Sequence, residues 1–445
     1  MRKKDYLALG MLGFFLIIFS IFTTKIGFHD SFEYINITKN FIGIENINLF
    51  SGHSLLYPLV ISLFLKIWSS FVMLKFVNVF WIFLIGSVLL VWLKNKKAFV
   101  LFAFSPLTWY IAIQTTPVLP ASFFFLLAFV FFYKKNINKN FLYSGFCLGL
   151  SCAFYTPILI VAFVFILVYF WETGFKDFIR YLVAMLVGFL PRIIQDYYLF
   201  KMPLYSSLRY VGSNFIVFSG LNPLAKNVNF LSNLWILSVF VITAPFLFKI
   251  YKINFKEYKK PIIFLGLISL IIILRAQEIK YFLIISPILF ILLSKVLNKK
   301  DFKWNCIISV ILIILLTFNF FVSQYEIRIQ NDLVEINRDF DVDYIIAGPS
   351  EATMLAAFWW ENHPKYVWWE DYEASLENKT TIRDYRFKVT PILKLKSNLE
   401  IIVNFNRAED ITYENYILVL RKEAEKAEGF ELIKCYDELC TYEKG

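Results

Sequence analysis

Two carboxylates stand one helical turn apart early in the chain, in the segment GFHDSFEYINITKNF. They belong to Asp30 and Glu33, which follow directly on a first apolar run. A carboxylate in this place can act as a general base that removes a proton from an attacking hydroxyl. The same Asp-x-x-Glu spacing is typical of a capping box that stabilises a helix start. The spacing alone therefore leaves a catalytic and a structural interpretation open.

A second group of candidates lies in the segment RAQEIKYFLIISP. Arg275 and Lys280 are placed between two apolar runs, and Tyr281 follows directly. Cations at a bilayer interface can bind the phosphate of a lipid head group through charge-assisted hydrogen bonds. Snorkelling of the long side chains, together with pairing to Glu278, is the alternative interpretation.

Composition indicates what kind of molecule must position these side chains. Of the 445 residues, 58% are hydrophobic and 20% are aromatic. This leaves too little polar surface to coat a soluble globule, so the chain is expected to lie in membrane lipid. The net charge of +11 does not indicate a nucleic-acid partner, because the cations cluster in short segments between apolar runs.

The apolar runs predict an α-helical polytopic membrane protein with about eleven transmembrane helices, since a span needs roughly 20 apolar residues. The spans are predicted near residues 7–24, 72–93, 98–112, 117–133, 141–154, 157–171, 178–199, 231–250, 261–274, 281–297 and 304–322. The N-terminal stretch MRKKDYLALGMLGFFLIIFSIFTT resembles a signal peptide but lacks a small-residue cleavage site. It is therefore predicted to be a retained first span.

The loops between the spans predict the orientation of the chain. With residues 2–4 in the cytoplasm, every second loop is cytoplasmic and basic, as the positive-inside rule requires. These loops contain Lys94, Lys96, Lys97, Lys134, Lys135, Lys139, Lys176, Arg180, Lys252, Lys256, Lys259, Lys260, Lys299, Lys300 and Lys303. A crossing at segment 54–70 would invert all later loops, so this segment is predicted to lie at the outer interface. The first external loop then covers residues 25–71 of a multi-pass plasma-membrane protein.

A change in composition after residue 322 predicts a second domain. Residues 1–322 form the membrane domain in this interpretation, and residues 323–445 a small α/β domain outside the cytoplasm. Strand, helix and strand are predicted at YIIAG, SEATMLAAFWWENH and KYVWWEDY, with further strands at LEIIVNF, YILVLR and FELIKCYDE. Cys435 and Cys440 can form a disulfide if this domain is exported, and two free thiols are the alternative.

Taken in order, these features resemble the GT-C class of polytopic glycosyltransferases, which includes protein O-mannosyltransferases and the aminoarabinose transferases of lipid A. Members have an Asp after the first span, a Tyr four residues later, and a loop that ends in His-Pro-Pro-Leu-Tyr-Pro. Asp30, Tyr34 and the segment His53-Ser-Leu-Leu-Tyr57-Pro are similar, with Ser and Leu in place of two prolines.

Two later segments extend the resemblance to roughly residues 7–322. LPRIIQDYYLFKMPLYSS is similar to an external Pro-x-x-x-x-x-Tyr-x-x-Phe-Gly-x-Pro-Leu stretch of the family, with Lys201 at the glycine. Lys280 and Tyr281 stand where the family has Arg-Tyr at the start of a late span. Arg192 and Asp196 lie one turn apart in the first of these segments, and a structural ion pair is the favoured interpretation.

The resemblance implies an inverting transfer of a hexose or pentose from a polyprenyl-phosphate donor to a hydroxyl of a protein, lipid or glycan acceptor. The implied site comprises Asp30 and Glu33 for catalysis, Arg275, Lys280 and Tyr281 for the donor phosphate, and Tyr34, His53, Tyr57 and Arg192 in support. No cofactor or metal is required by it, and a divalent metal that bridges Asp30 to the phosphate is the alternative.

Functions of other classes also fit the sequence. A transporter or flippase of lipid-linked glycans would use the same cations but needs polar groups near mid-bilayer along a path. A noncatalytic membrane scaffold with an external domain is a third interpretation. The stretch WWENHPKYVWWEDYE resembles the Trp-Trp-Asp-Tyr-Gly motif of oligosaccharyltransferases, so an enzyme of that kind is a further alternative, although an interfacial aromatic belt or a strand core is favoured there. Asn36 and Asn378 begin triplets that accept glycans, a pattern that also occurs by chance.

Overall fold

The computed structural model of the chain describes most of the helical part and much of the C-terminal part. The described residues are 3–23, 29–44, 53–133, 137–170, 174–200, 202–208, 239, 241, 243–245, 255–274, 279–322, 325–358, 365–368, 415–422 and 429–444.

Thirteen labelled helices make up the first part of the described chain. They are α1 (Lys3–Phe22), α2 (His29–Phe41), α3 (Leu56–Leu65), α4 (Phe71–Ser87), α5 (Lys96–Ala103), α6 (Pro106–Ala112), α7 (Val118–Tyr133), α8 (Ile137–Phe154), α9 (Ile158–Phe170), α10 (Phe175–Phe200), α11 (Phe255–Leu274), α12 (Phe282–Val296) and α13 (Lys299–Val322). A π-helical turn, Val88–Trp92, extends α4, and a 3-10 turn, Ile279–Tyr281, precedes α12.

Three helices within the described ranges are long and apolar enough to cross a membrane. These are Lys3–Phe22, Phe71–Trp92 and Lys299–Phe318. They agree with the prediction of a helical membrane protein, while the count of about eleven spans, which rests on the length of apolar runs, stays a prediction. The predicted span at 231–250 lies mostly outside the described residues.

The span predicted at 98–112 is not one continuous helix, because two short helices occupy this segment. α5 ends at Ala103, and α6 begins at Pro106. Proline has no backbone N–H, so it interrupts a helix but fits the first turn of a new one. Segment 54–70 forms α3, whose ten residues extend about 15 Å, too short to cross a bilayer.

Lysine contacts identify the two ends of the helical bundle. At one end, Lys96 pairs with Asp5 at 3.1 Å, and Lys97 donates to the carbonyl of Leu297 at 3.2 Å. At the opposite end, buried Lys75 donates to the carbonyls of Ser20 and Thr23 and so closes the C-terminus of α1. The start of α1 and the end of α12 therefore lie together, far from the end of α1.

Helices α8 and α10 approach each other closely at glycines. A Cβ atom added to Gly149 would lie 2.0 Å from the carbonyl oxygen of Met185, and one added to Gly188 would lie 2.1 Å from that of Phe146. Gly145 and Gly149 have the small-xxx-small spacing that lets membrane helices pack at short range. Backbone, rather than a movable side chain, fills the space next to these glycines.

We therefore expect Gly149→Ala to lower the free energy of unfolding by about 1–3 kcal/mol, the usual cost of overpacking. Thermal unfolding in detergent micelles measures this loss. Gly266→Ala is the matched control, because a Cβ atom on Gly266 meets nothing within 4 Å. Equal stability of the two variants would contradict the close helix contact.

The C-terminal part contains α14 (Tyr325–Asp339), β1 (Tyr344–Ala347), α15 (Pro349–Ala357), β2 (Lys365–Trp368), β3 (Tyr416–Arg421), β4 (Phe430–Cys435) and β5 (Leu439–Lys444). The described strands form one mixed sheet in the order β2-β1-β3-β5-β4. β1 pairs in parallel with β2 and β3, whereas β5 is antiparallel to β3 and β4. The predicted β1-α15-β2 unit, β3 and β4 are confirmed, and the strand predicted at LEIIVNF lies outside the described residues.

A carboxylate of α14 holds the β4–β5 hairpin, and a disulfide closes the hairpin turn. Asp332 of α14 accepts hydrogen bonds from the backbone N–H groups of Glu438 at 2.7 Å and Leu439 at 3.0 Å. Cys435 and Cys440 are joined by a disulfide across the same turn. Strand β5 was not predicted, because only a short run follows this turn before the chain ends.

Candidate functional site

Helix α2 places Asp30 next to Lys280, a residue 250 positions later in the chain. Lys280 Nζ lies 3.3 Å from Asp30 Oδ2. Lys280 belongs to the 3-10 turn before α12 and is only 5% exposed, whereas the Asp30 side chain is 41% exposed. The carboxylate can therefore be reached from solvent, while the ammonium behind it is shielded.

The carboxylates of α2 do not form the capping box that their spacing allows. Asp30 lies inside the first turn of α2, and Glu33 Oε2 lies 3.1 Å from His53 Nε2. Both acidic side chains thus contact distant parts of the chain.

His53 connects Glu33 to Tyr34 through its two ring nitrogens. The Tyr34 hydroxyl lies 3.2 Å from His53 Nδ1. Burial, followed by the charges of Asp30 and Glu33, raises the pKa of the Tyr34 phenol well above its ordinary value. The phenol therefore stays protonated and can donate to Nδ1, and a neutral imidazole that accepts this bond would carry its proton on Nε2, toward Glu33. The Tyr34 ring also packs edge-on against Tyr57, with centroids 5.5 Å apart.

Helix α10 fixes the backbone that carries His53. Arg192 Nη1 and Gln195 Nε2 both donate to the carbonyl oxygen of His53, the latter at 2.9 Å. Gln195 Oε1 accepts from the N–H of Leu55 at 2.9 Å, so this amide binds the loop on both sides. Arg192 and Asp196 form the predicted ion pair at 3.5 Å, and both side chains are fully buried.

Tyr57 is held by an asparagine on α4. Its hydroxyl donates to Asn78 Oδ1 at 3.3 Å. The amide nitrogen of Asn78 donates to the carbonyls of Ala112 and Gln114 at 3.1 and 2.7 Å. Asn78 therefore satisfies the last carbonyl of α6 and one carbonyl just beyond it, and joins this helix end to the site.

Tyr281 extends the site toward the turn between α8 and α9. Its ring lies 5.8 Å from the ring of Tyr155, with an angle of 32° between the planes. Sequence reasoning missed Tyr155, Asn78 and Gln195 as site residues. Nothing in their spacing indicates a role, because no motif or periodicity singles them out.

The structure thus brings together eight of the nine predicted site residues, namely Asp30, Glu33, Tyr34, His53, Tyr57, Arg192, Lys280 and Tyr281. Arg275 and Glu278 lie outside the described residues, as does most of the aromatic stretch 359–373. In the part of the chain that the structure describes, no group of three His, Cys, Asp or Glu side chains could hold a metal ion.

Chemically, the site offers an accessible carboxylate, a shielded ammonium, and aromatic rings with fixed hydroxyls. The carboxylate can accept a proton or a hydrogen bond from a hydroxyl group. An ammonium carries three N–H bonds, and at Lys280 one of them is directed at the Asp30 carboxylate.

Comparison with known proteins gives no match to a family model, to a curated protein or to a solved structure.

Proposed function

We propose that the protein is a membrane glycosyltransferase that moves a sugar from a polyprenyl-phosphate donor to an acceptor hydroxyl. The contact between Asp30 and Lys280 carries this proposal. A general base and a cation that binds the leaving phosphate must lie within one small molecule of each other, and these two side chains are 3.3 Å apart. The GT-C resemblance predicts that these two side chains lie close together, whereas neither segment by itself predicts it.

In the proposed reaction, Asp30 accepts the proton of the acceptor hydroxyl while the oxygen attacks the anomeric carbon. The bond from this carbon to the phosphate oxygen breaks, and the polyprenyl phosphate departs with the bonding electrons. Lys280 and Arg275 stabilise the negative charge of the departing phosphate, and the sugar configuration inverts. The donor is already activated, so the reaction needs neither a nucleotide nor a redox cofactor.

The remaining residues hold this arrangement in place. Glu33 is the weaker candidate for the base, because its side chain is 20% exposed, against 41% for Asp30. Arg192 and Gln195 fix the backbone of His53, and Tyr34 and Tyr57 pack beside it. Preorganisation of this kind lowers the cost of orienting substrates.

We propose an orientation of about eleven spans with the N-terminus in the cytoplasm and the C-terminal domain outside, following the positive-inside rule. Two observations support it. Lys96 and Lys97 lie at the bundle end that contains the start of α1. The site lies beside α2, which follows the other end of α1. The acceptor hydroxyl would then be on a protein, lipid or glycan of the outer face.

A transporter or flippase of lipid-linked glycans is the second candidate. It would require polar groups along a path through the bilayer. The contacts of Asp30, His53 and Lys280 join the loops that follow α1 and α11. This clustering at one bundle end favours the transferase.

The test is to incubate the purified protein with a panel of polyprenyl-phosphate sugars and to measure sugar release or transfer. We expect one donor to be consumed and the product to have the opposite anomeric configuration. In parallel, proteoliposomes with a labelled lipid-linked glycan measure movement across the bilayer. Movement of the glycan without consumption of any donor would exclude the transferase and favour the flippase.

A further inference from the structure

Helix α2 has a second face with polar contacts, on the side opposite Asp30. Phe32, Asn36 and Lys39 are spaced at i, i+4 and i+7, which places them on one stripe of the helix. Asp30 and Tyr34 lie on the other side. The three residues of the stripe are buried, although two of them are polar.

The polar residues of this stripe bind helix α15 of the C-terminal domain. Asn36 Nδ2 donates to the carbonyl of Thr353 at 2.6 Å. Lys39 Nζ donates to the carbonyls of Ala356 and Ala357 at 3.1 and 2.7 Å. Asn36 is fully buried in this contact, so it is not an accessible glycan acceptor. Asn378, which begins the other triplet, lies outside the described residues.

The last carbonyls of a helix lack partners within the helix and carry partial negative charge. Lys39 is placed at this end of α15. Burial lowers the pKa of the Lys39 amine well below its ordinary value, and the amine donates to two carbonyl oxygens at this helix end. A fully buried lysine is rare in proteins unless it has partners of this kind.

Aromatic packing completes the contact. The ring of Phe358, directly after α15, lies 5.8 Å from that of Phe32 and 5.9 Å from that of Phe71 at the start of α4. The C-terminal domain thus contacts both α2 and the membrane helix next to it.

We propose that the C-terminal domain positions α2 by binding the helix face opposite Asp30. Asn36 and Lys39 are the positioning residues that keep Asp30 in contact with Lys280. The effect on turnover rests on the proposed function, whereas the mechanical link between α15 and α2 does not. The domain is then an integral part of the site, because a shift of α15 moves α2, the helix that carries Asp30.

Hydrogen exchange of the full-length protein in detergent tests the link. Lys39→Met keeps the length of the side chain but removes the amine. We expect the amides of α2 to exchange roughly 10-fold to 100-fold faster, the factor that corresponds to loss of a hydrogen bond to a charged group. Lys39→Arg, which keeps the cation, should restore much of the protection. Lys97→Met is the matched control, because Lys97 also donates to a carbonyl at a helix end, but at the other end of the bundle.

A second variant approaches α2 from the other domain. Phe358→Ala should also accelerate exchange in α2, whereas Leu432→Ala, at an exposed position of β4, should not. Because α2 carries the proposed base, Lys39→Met and Phe358→Ala should lower kcat more than they raise KM for the donor.

The proposal is overturned if Phe358→Ala leaves hydrogen exchange in α2 unchanged and Lys39→Met does the same. If Lys39→Met does not fold, the result for Phe358→Ala decides alone. Failure of the proposed function is a separate result. If the wild-type protein consumes no donor, the glycosyltransferase proposal fails, and the exchange data still decide whether α15 positions α2.

Discussion

Asp30→Asn is expected to lower sugar transfer by roughly 10²-fold to 10⁴-fold, the range typical for loss of a general base. The asparagine amide has nearly the shape of the carboxylate but cannot accept the proton of the acceptor hydroxyl. Asp30 is the accessible carboxylate of the site, and its Oδ2 contacts Lys280. Initial rates with the donor identified from the panel measure the loss.

Asp5→Asn is the matched control for this variant. Asp5 pairs with Lys96 at 3.1 Å at the opposite end of the bundle, which gives a second Asp–Lys pair in the same protein. We expect ordinary turnover in Asp5→Asn and a similar unfolding temperature in both variants. A folded Asp30→Asn protein with ordinary turnover would remove Asp30 from the proposed mechanism.

Much of the helical part could be predicted because lipid imposes a simple rule on sequence. A helix must be apolar over the thickness of the bilayer, so runs such as 117–133 and 157–171 correspond closely to α7 and α9. The break between α5 and α6 was missed because hydropathy does not register backbone geometry. The signal was nevertheless present in Pro106, which ends one helix and begins the next.

The sequence also contains a signal for the close packing of α8 against α10, although this packing was not predicted. Gly145 and Gly149 have the spacing typical of membrane helix contacts, and the structure places them against α10. The partner glycine, Gly188, could not be paired with them from sequence, because no periodicity joins two helices that are separated by α9.

Some residues of the candidate site could be predicted from the sequence, and others could not. Asp30 and Lys280 were found by their types and by the family resemblance, since charged residues beside apolar runs are conspicuous. Asn78 and Gln195 were missed because they bind backbone carbonyls and a loop N–H, which every segment offers. The contact of Lys39 with α15 was equally hidden, because a lysine in an external loop is normally solvated.

Lys280→Met should mainly impair use of the donor. Methionine has a similar length but no N–H group, so the departing phosphate loses a charge-assisted hydrogen bond. A bond of this kind contributes about 1.5–3 kcal/mol, and kcat/KM for the donor should fall by roughly 10-fold to 150-fold. Lys96→Met, which breaks the Asp5 pair at the other bundle end, is the control and should leave kcat/KM unchanged.

The double variant Asp30→Asn/Lys280→Met then distinguishes one shared site from two separate roles. Side chains in direct contact are not additive, and these two atoms are 3.3 Å apart. If both act on one phosphosugar, the double variant should lose much less activity than the product of the two single losses, because either loss already disables the same step. A loss equal to that product would mean that the base and the cation act independently, and the contact between them would no longer support a glycosyltransferase.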